Sequence, residues 1–360
     1  MGNGNRPDAT IPFVRVLDSA GAAIAPLPGF AEDRDELIRL YRAMVAARRF
    51  DEKAIALQRT GRLGTFASAL GQEAVAVGAA AAMVEEDVLL PSFRGHGAQL
   101  WRGVTLVELF QFWGGDERGN DFAGPRQDFP VCIPVASHVP HAAGVALAMQ
   151  MRGEARAALC ILGDGATSKG DFYEALNIAG AWALPLIILI NNNQWAISVP
   201  RSAQSAAATL AQKGVAAGVP GCQVDGNDVV AVRQVVASAL AIARDGGGPA
   251  VIEALTYRMG DHTTADDASR YRDDAEVGRH WQEEPIARLR AYLQATEGWT
   301  KDEEEALIVG CSGEVEAAAD AYLDIAPQPP ESIFDHLYET LPRPLAAQRA
   351  ALLGGEPADG

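Results

Sequence analysis

The sequence is poor in cysteine and has no long apolar run. Its four cysteines show no CxxC spacing, which argues against a disulfide framework or a zinc site and predicts free thiols in a reducing compartment. The aliphatic run at residues 184–190 contains Pro185 and is far shorter than the roughly 20 residues that span a bilayer. We therefore predict a soluble chain. The cysteines are Cys132, Cys160, Cys222 and Cys311.

Positive charge is also scarce, since 30 Lys and Arg stand against 47 Asp and Glu, a net charge of −17. Such a balance offers no broad cationic surface for nucleic acid or anionic lipid, so neither is expected as a partner. Residues 1–8 are polar and lack the pattern of an export signal or a transit peptide, which predicts a cytoplasmic protein. With 360 residues and 48% hydrophobic content, the chain can form a sizeable core.

Short apolar runs alternate with helical patterns along the chain. Apolar residues near a 3.6-residue period predict a helix over residues 32–60, ending at Gly61, and a second helix over 72–83. This alternation is typical of an α/β fold with a mostly parallel sheet flanked by helices. We expect an extension over 1–30, one α/β domain over 31–325 and a C-terminal helical tail over 326–360. The predicted strands are 88–90, 157–162, 186–190 and 251–255.

Polar residues follow two neighbouring predicted strands. Gly163-Asp164-Gly165 comes after the strand at 157–162, and Asn191-Asn192-Asn193 comes after the strand at 186–190. Parallel strands bring their carboxyl ends to one sheet edge, where α/β proteins bind ligands. A carboxylate and an amide oxygen are hard ligands that suit Mg²⁺, which keeps its other positions for phosphate oxygens and water.

Other interpretations of the glycine-rich turn can be compared with the sequence. A dinucleotide fingerprint fails because the third glycine comes only at Gly170, and a phosphate loop fails because Asp171 and Phe172 follow that glycine. Each polar segment alone is equally well explained as an ordinary turn or strand cap. Together, Asp164 and Asn193 flank one βαβ unit, which favours a ligand site.

The same segment resembles the thiamin diphosphate motif, in which GDG is followed after about thirty residues by NN. Residues 163–175 and 192–198 resemble the α subunit of the first component of 2-oxo acid dehydrogenase complexes. The resemblance extends from about Glu32 to the C-terminal helices. Further matching segments are Gly61-Arg-Leu-Gly, Gly71-Gln-Glu-Ala, Ala208-Thr-Leu-Ala-Gln-Lys, Val224-Asp-Gly-Asn-Asp and the loop from Tyr257 to Tyr271.

This resemblance implies a thiamin diphosphate-binding fold with Mg²⁺ on the cofactor diphosphate. The implied metal ligands are the side chains of Asp164 and Asn193 and the backbone oxygen of Trp195. The implied cofactor-binding residues are Phe93, Arg94, Ile133, Val135, Gly163, Asp164, Gly165, Ala166, Asn193, Arg258 and His262.

His262 is the predicted catalytic residue. A lone histidine in a polar loop is usually just solvated, but this one matches the family histidine that contacts the diphosphate and the reacting centre. An imidazole with a pKa near 6.5 gives or takes a proton around neutrality. Arg94 matches an arginine that holds the diphosphate, and Phe93 departs from the family tyrosine because it has no hydroxyl to donate. The implied contacts of Ile133 and Val135 with the aminopyrimidine use backbone groups.

The remaining histidines and several aromatic residues suggest no second site. The histidines at 96, 138, 141, 280 and 336 lack metal-cluster spacing and are interpreted as loop or capping residues. Trp101, Phe110, Phe112 and Trp113 have helical spacing and are interpreted as core or subunit interface. Phe66 has two interpretations, core packing or a position at the substrate entrance.

The family resemblance also implies partners. A separate β subunit would supply the glutamate that activates the cofactor pyrimidine, giving an α₂β₂ heterotetramer that acylates a lipoyl-bearing acyltransferase. Among small 2-oxo acids, pyruvate is favoured over branched-chain acids, with acetoin as a third choice. A catalytically idle paralogue and a Mg²⁺-dependent nucleotide enzyme are the alternatives from other classes.

Overall fold

A six-stranded parallel sheet forms the centre of the fold. The computed structural model describes residues 10–335 and 337–354, so the expectations for residues 1–8 and for His336 lie outside it. The strands are β1 (Phe13–Val14), β2 (Val88–Leu90), β3 (Ala158–Gly163), β4 (Leu186–Asn192), β5 (Trp195–Ala196), β6 (Val199–Pro200), β7 (Gly221–Asp225) and β8 (Ala250–Leu255). The sheet order is β1-β7-β8-β4-β3-β2, while β5 and β6 form a separate antiparallel hairpin. The predicted α/β class is confirmed.

Helices cover both faces of this sheet. The first begins where the Asp33 side chain accepts the backbone N–H of Asp35, and it matches the helix predicted over 32–60. In the described part of the chain the helices are α1 (Arg34–Arg59), α2 (Glu73–Ala81), α3 (His96–Arg102), α4 (Leu106–Trp113), α5 (His138–Arg152), α6 (Gly170–Trp182), α7 (Arg201–Gln204), α8 (Val229–Arg244), α9 (Asp274–His280), α10 (Pro285–Thr296), α11 (Lys301–Leu323) and α12 (Arg343–Leu352).

No helix within residues 10–335 and 337–354 has both the length and the apolar character needed to cross a bilayer.

The central strands are buried on both faces, which explains their continuous apolar sequences. Leu159 and Leu189 face a core shared with α1, α2 and α8. Cys160 and Ile188, one residue away on the same strands, face the opposite core, shared with α5 and α6. Two layers of helices thus fix β3 and β4 in register, with Gly163 opposite Asn191.

Two strands of the sheet have no counterpart among the predicted strands. Strand β7 contains Cys222 and Gln223 and is only partly buried over its first three residues, so its sequence shows no apolar run. Strand β1, within the predicted N-terminal extension, pairs with β7. The buried carboxylate of Asp228, at the start of α8, accepts the backbone N–H groups of Val16 and Leu17 at 2.7 and 2.6 Å. This part of the extension is therefore attached to the sheet, while the domain boundaries stay a prediction.

A third cluster joins the long helix α11 to α1 and α4. Phe110 is fully buried in it, as predicted for a core residue. Phe66 is fully buried too, with its ring centroid 5.8 Å from that of Phe50 and 4.9 Å from that of Trp113. Of the two interpretations of Phe66, the structure selects core packing.

Gly71 lets the start of α2 approach the chain that follows β8. Its φ of +82° is in the left-handed region, and a Cβ there would lie 2.9 Å from the Met259 side chain and 3.0 Å from the Tyr257 carbonyl oxygen. Only glycine fits this approach without a shift of the backbone.

We expect Gly71→Ala to lower the free energy of unfolding by about 2 to 4 kcal/mol, because strain in φ adds to overpacking. The matched control is Gly61→Ala, at φ +72° with open space around the missing Cβ, for which we expect a loss of about 1 kcal/mol. Urea denaturation followed by circular dichroism measures both. Equal losses at the two positions would contradict the proposed close packing at Gly71.

Candidate functional site

A cavity of about 300 Å³ opens at the carboxyl ends of β3 and β4. Parallel strands deliver loop residues to this edge, and the register of β3 with β4 places the Asp164 turn beside the asparagines. The predicted site residues that line the cavity are Phe93, Arg94, Ile133, Val135, Gly163, Asp164, Gly165, Ala166, Asn193, Trp195 and His262. Of the predicted set, Arg258 alone is not part of the lining.

Asp164 begins a 3₁₀ turn directly after β3 and is only 1% exposed. Its Oδ2 atom has no hydrogen-bond partner among the described residues. Burial raises the pKa of this carboxyl to about 6, although backbone N–H groups and the charges of Arg258 and Arg94 act in the opposite direction. A buried carboxylate with an unpartnered oxygen is a position that a cation would stabilise.

Asn193 places a second oxygen beside Asp164. Its Oδ1 accepts the backbone N–H of Trp195 at 3.2 Å, and its Nδ2 donates to Oε1 of Gln72 at 2.9 Å. With the Trp195 carbonyl, the predicted set holds a carboxylate, an amide oxygen and a backbone oxygen, which is a hard donor set that fits Mg²⁺. A site of this kind needs no cluster of acidic, histidine or cysteine side chains, and residues 10–335 and 337–354 contain no such group of three.

The hairpin of β5 and β6 that carries Trp195 has a strained backbone. Gln194 and Ile197 have φ values of 72° and 56°, a region that β-branched residues rarely adopt. The buried Arg258 side chain donates to the carbonyl oxygens of Trp195 at 3.3 Å and Ile197 at 2.8 Å. Arg258 therefore braces this hairpin from behind the cavity, and its contact with an anion stays a prediction.

Arg94 is a buried cation on the cavity wall. Its guanidinium donates to the backbone oxygens of Ser68 and His262, both at 2.6 Å. Burial and the nearby charge of Arg258 lower the pKa of Arg94 to about 9, so it remains charged at neutral pH. A buried guanidinium facing a cavity favours a negatively charged ligand.

His262 lies beside Arg94, with Nδ1 of its ring 3.0 Å from the guanidinium. A guanidinium only donates, so Nδ1 is the accepting nitrogen and the proton of the neutral ring is on Nε2. Burial and the charges of Arg94 and Arg258 lower the pKa of His262 to about 4. The structure thus differs from the expectation of a titration near neutrality: at pH 7 the ring is neutral and offers an N–H donor at Nε2.

The loop around His262 is closed by its own hydrogen bonds. Asp266 accepts the backbone N–H of His262 at 2.9 Å and also the hydroxyl of Tyr271. Thr264 and Phe66 exchange two bonds, at 2.8 and 3.0 Å, that attach the loop to the turn before α2. The histidine is therefore held at the cavity by both neighbouring segments.

Gln72 lines the cavity without having been identified as a site residue from the sequence, and Thr256 positions its partner Asn191. Gln72 is 1% exposed, lines the cavity and accepts Asn191 Nδ2 at 3.0 Å as well as Asn193. The Thr256 hydroxyl fixes Asn191 by donating to its Oδ1 at 2.7 Å. The only sequence signal for Gln72 was its place in the Gly71-Gln-Glu-Ala segment of the family resemblance.

The histidines at 96 and 138 have internal partners. The indole N–H of Trp113 donates to Nε2 of His96 at 3.0 Å, and Nε2 of His138 lies 2.9 Å from the carbonyl oxygen of Ile161. Both rings are buried at the ends of helices. His96 and His138 are the first residues of α3 and α5, and His138 also lines the cavity.

The sheet and the cavity define an α/β protein with a candidate ligand site at the strand ends, where a buried carboxylate suits a cation and a buried guanidinium suits an anion. Residues 41–330 match the family model for the dehydrogenase E1 component. The chain belongs to the dehydrogenase E1 component family. This confirms the resemblance seen in the sequence and gives the enzyme class, a thiamin diphosphate-dependent 2-oxo acid dehydrogenase component.

Curated relatives match nearly the whole chain. A protein from Staphylococcus epidermidis named pyruvate dehydrogenase E1 component subunit alpha is 38% identical over 347 residues, which are 96% of this chain and 93% of the relative. A protein of the same name from Staphylococcus aureus has the same identity and coverage.

We expect Asp164→Asn to stabilise the cofactor-free chain by up to about 3 kcal/mol at pH 7 to 8. The pKa of the buried carboxyl is raised above its value in the unfolded chain. Below about pH 4 both states are protonated and the carboxyl has no effect on stability, whereas the cost of its ionisation grows as the pH rises to about 6 and is complete above that pH. The gain should therefore disappear on acidification. Chemical denaturation across this pH range measures it.

The matched control is Asp121→Asn, whose side chain is 80% exposed and lies outside the cavity lining. We expect a change below about 0.5 kcal/mol for this variant at every pH. A stability loss for Asp164→Asn at pH 8 would contradict the burial of an unpaired carboxylate.

Proposed function

We propose that this chain is the α subunit of a pyruvate dehydrogenase E1 component. In this function it takes part in thiamin diphosphate-dependent oxidative decarboxylation of pyruvate and reductive acetylation of the lipoyl group of an acyltransferase. The observation that carries the proposal is the cavity in which the unpartnered Asp164 oxygen and Asn193 lie near the buried Arg94 and His262. The names of the relatives support pyruvate as the substrate.

Mg²⁺ would be held by the Asp164 and Asn193 side chains together with the Trp195 carbonyl oxygen. This ion would offset the buried charge of Asp164 and neutralise the cofactor diphosphate. Arg258 donates to the same carbonyl at 3.3 Å and keeps the hairpin in place on its far side. When bound, the cofactor supplies the carbanion chemistry, while the protein contributes anchoring, protons and exclusion of water.

Arg94 and His262, which line the same cavity, would also hold the anionic end of the cofactor. Arg94 provides a permanent charge, and the neutral His262 ring offers its Nε2–H group. An anion next to this ring favours its protonated form, so binding would move the pKa of His262 back toward neutrality, where the ring can transfer a proton. Phe93 contributes an apolar edge against His262, with ring centroids 6.1 Å apart, and no phosphate hydrogen bond.

A partner subunit would cover the mouth of the cavity. Ile133, Val135, Ile197 and Val199 are each between 43% and 55% exposed in this region, and exposed apolar side chains grouped at a cavity mark an interaction surface. We assign this surface to a β subunit that carries the pyrimidine-activating glutamate, in an α₂β₂ heterotetramer. The four free thiols suit the reducing cytoplasm expected from the sequence.

We expect the purified chain alone to show no decarboxylation of pyruvate, even with excess thiamin diphosphate and Mg²⁺, because the pyrimidine-activating carboxylate is assigned to the partner. Adding the cognate β subunit should restore turnover and shift the protein to earlier elution in size exclusion. Reduction of an artificial electron acceptor measures the activity.

The same assay separates the candidate substrates. Pyruvate should give a higher kcat/KM than 3-methyl-2-oxobutanoate or acetoin in the reconstituted enzyme. Turnover by the isolated chain at a rate similar to that of the mixture would overturn the two-subunit proposal. A higher kcat/KM for the branched-chain acid would overturn the substrate assignment alone.

We expect His262→Ala to slow acyl transfer to the lipoyl domain by about 10²- to 10⁴-fold, the usual loss for one acid/base group. Decarboxylation followed by an artificial acceptor should fall less, because that step depends mainly on the cofactor and the β-subunit carboxylate. The control is His141→Ala, an exposed histidine that does not line the cavity. Acylation of the lipoyl domain at the wild-type rate by His262→Ala would exclude the proposed role.

A further inference from the structure

Gln72 links Asn191, near the end of β4, and Asn193, directly after that strand, to the cavity. It is almost completely buried at the beginning of α2, where the left-handed turn at Gly71 brings it toward the end of β4. Its Oε1 accepts both Asn191 Nδ2 and Asn193 Nδ2, and its own backbone N–H is satisfied by the carbonyl of Ala69 at 2.8 Å. The side-chain oxygen is thus held by two hydrogen bonds, and the backbone at this position by a third.

The orientation of these amides follows from a backbone group. The N–H of Trp195 only donates, so the atom of Asn193 that faces it is Oδ1, and Nδ2 must face Gln72. Because Asn193 Nδ2 donates, the atom of Gln72 that faces it is the acceptor Oε1. The Nε2 group of Gln72 therefore points away from Asn193. The orientations of the Asn193 and Gln72 side-chain amides therefore determine each other.

The turned-away Nε2 group has no hydrogen-bond partner in the described part of the chain. Leaving a buried amide N–H₂ unpaired is unfavourable, so a position of this kind calls for an acceptor. Gln72 lines the same cavity as Asp164, Asn193, Arg94 and His262. Arg94 and His262 are donors as well, which makes an anionic oxygen the acceptor that the wall suits best.

We propose that Gln72 is an additional cofactor-binding residue, with its Oε1 fixing Asn193 so that Oδ1 faces the metal position and its Nε2 donating to an oxygen of the bound diphosphate. This inference rests on the proposed function, since it concerns the same cofactor. It assigns separate tasks to the two ends of one amide side chain.

Two variants separate these tasks. Gln72→Met keeps most of the volume and removes both polar atoms, whereas Gln72→Glu keeps an oxygen that accepts from the asparagines and removes the N–H donor. The matched control is Gln99→Met, since Gln99 is 3% exposed, has an unpartnered Oε1 and does not line the cavity. The two Met variants are compared for their thermal midpoints without cofactor, which reports any general loss of stability.

Calorimetry on the full chain reconstituted with its β subunit, in excess Mg²⁺, measures the affinity for thiamin diphosphate and for inorganic diphosphate. We expect Gln72→Met and Gln72→Glu to lose about 10- to 100-fold in affinity for both probes, the effect of one or two hydrogen bonds to a charged group. Gln99→Met should bind both probes as the wild type does, even with a similarly lowered thermal midpoint.

Wild-type affinity in Gln72→Met would overturn the inference. Wild-type affinity in Gln72→Glu, or a loss for thiamin diphosphate without a loss for inorganic diphosphate, would overturn the donor assignment. If the wild-type complex itself does not bind thiamin diphosphate, the proposed function fails. If it binds and the Gln72 variants bind equally well, only this inference fails.

Discussion

The burial of one carboxylate at the end of a central strand is the constraint on which the site depends. Asp164 is placed there by β3, which two helical layers hold in register with β4, so the carboxyl group cannot move out to water. Burial without a full set of partners disfavours its charge, and a cation restores the balance. We propose that the Asn193 amide oxygen and the Trp195 carbonyl on the strained hairpin supply further oxygen atoms for such a cation.

The two buried arginines near this carboxylate, Arg94 and Arg258, have different roles. Arg258 is used internally, because its guanidinium supports the carbonyl groups of the hairpin, whereas Arg94 is held by backbone oxygens at the cavity wall. Burial first, and then the charges of both arginines, lower the pKa of His262 and keep its imidazole neutral. The cavity wall therefore favours a negatively charged ligand, because the negative charge would complement the buried arginine.

The sequence predicts four neighbouring strands of the sheet, from β2 at one edge to β8, and misses β7 and β1 at the other edge. Strands β3 and β4 are buried on both faces and have continuous apolar sequences, so their positions and the residues that follow them could be predicted. Strand β7 carries a polar pattern because it is half-covered, and β1 is only two residues long. Gln72 has no local signal because its partner Asn193 is 121 residues away, and the low pKa of His262 depends on charges that only the fold brings near.

The cavity can form only after segments that are far apart in the sequence have come together. Gln72 meets Asn193 across 121 residues, and Arg94 meets His262 across 168, so the cavity walls come from segments that span most of the chain. Such non-local contacts carry a large loop-closure cost and require both segments to be in place. We infer that no fragment lacking either end of these contacts retains the site, and that the cofactor acts as a ligand of the completed fold, raising the population of fully assembled molecules by mass action.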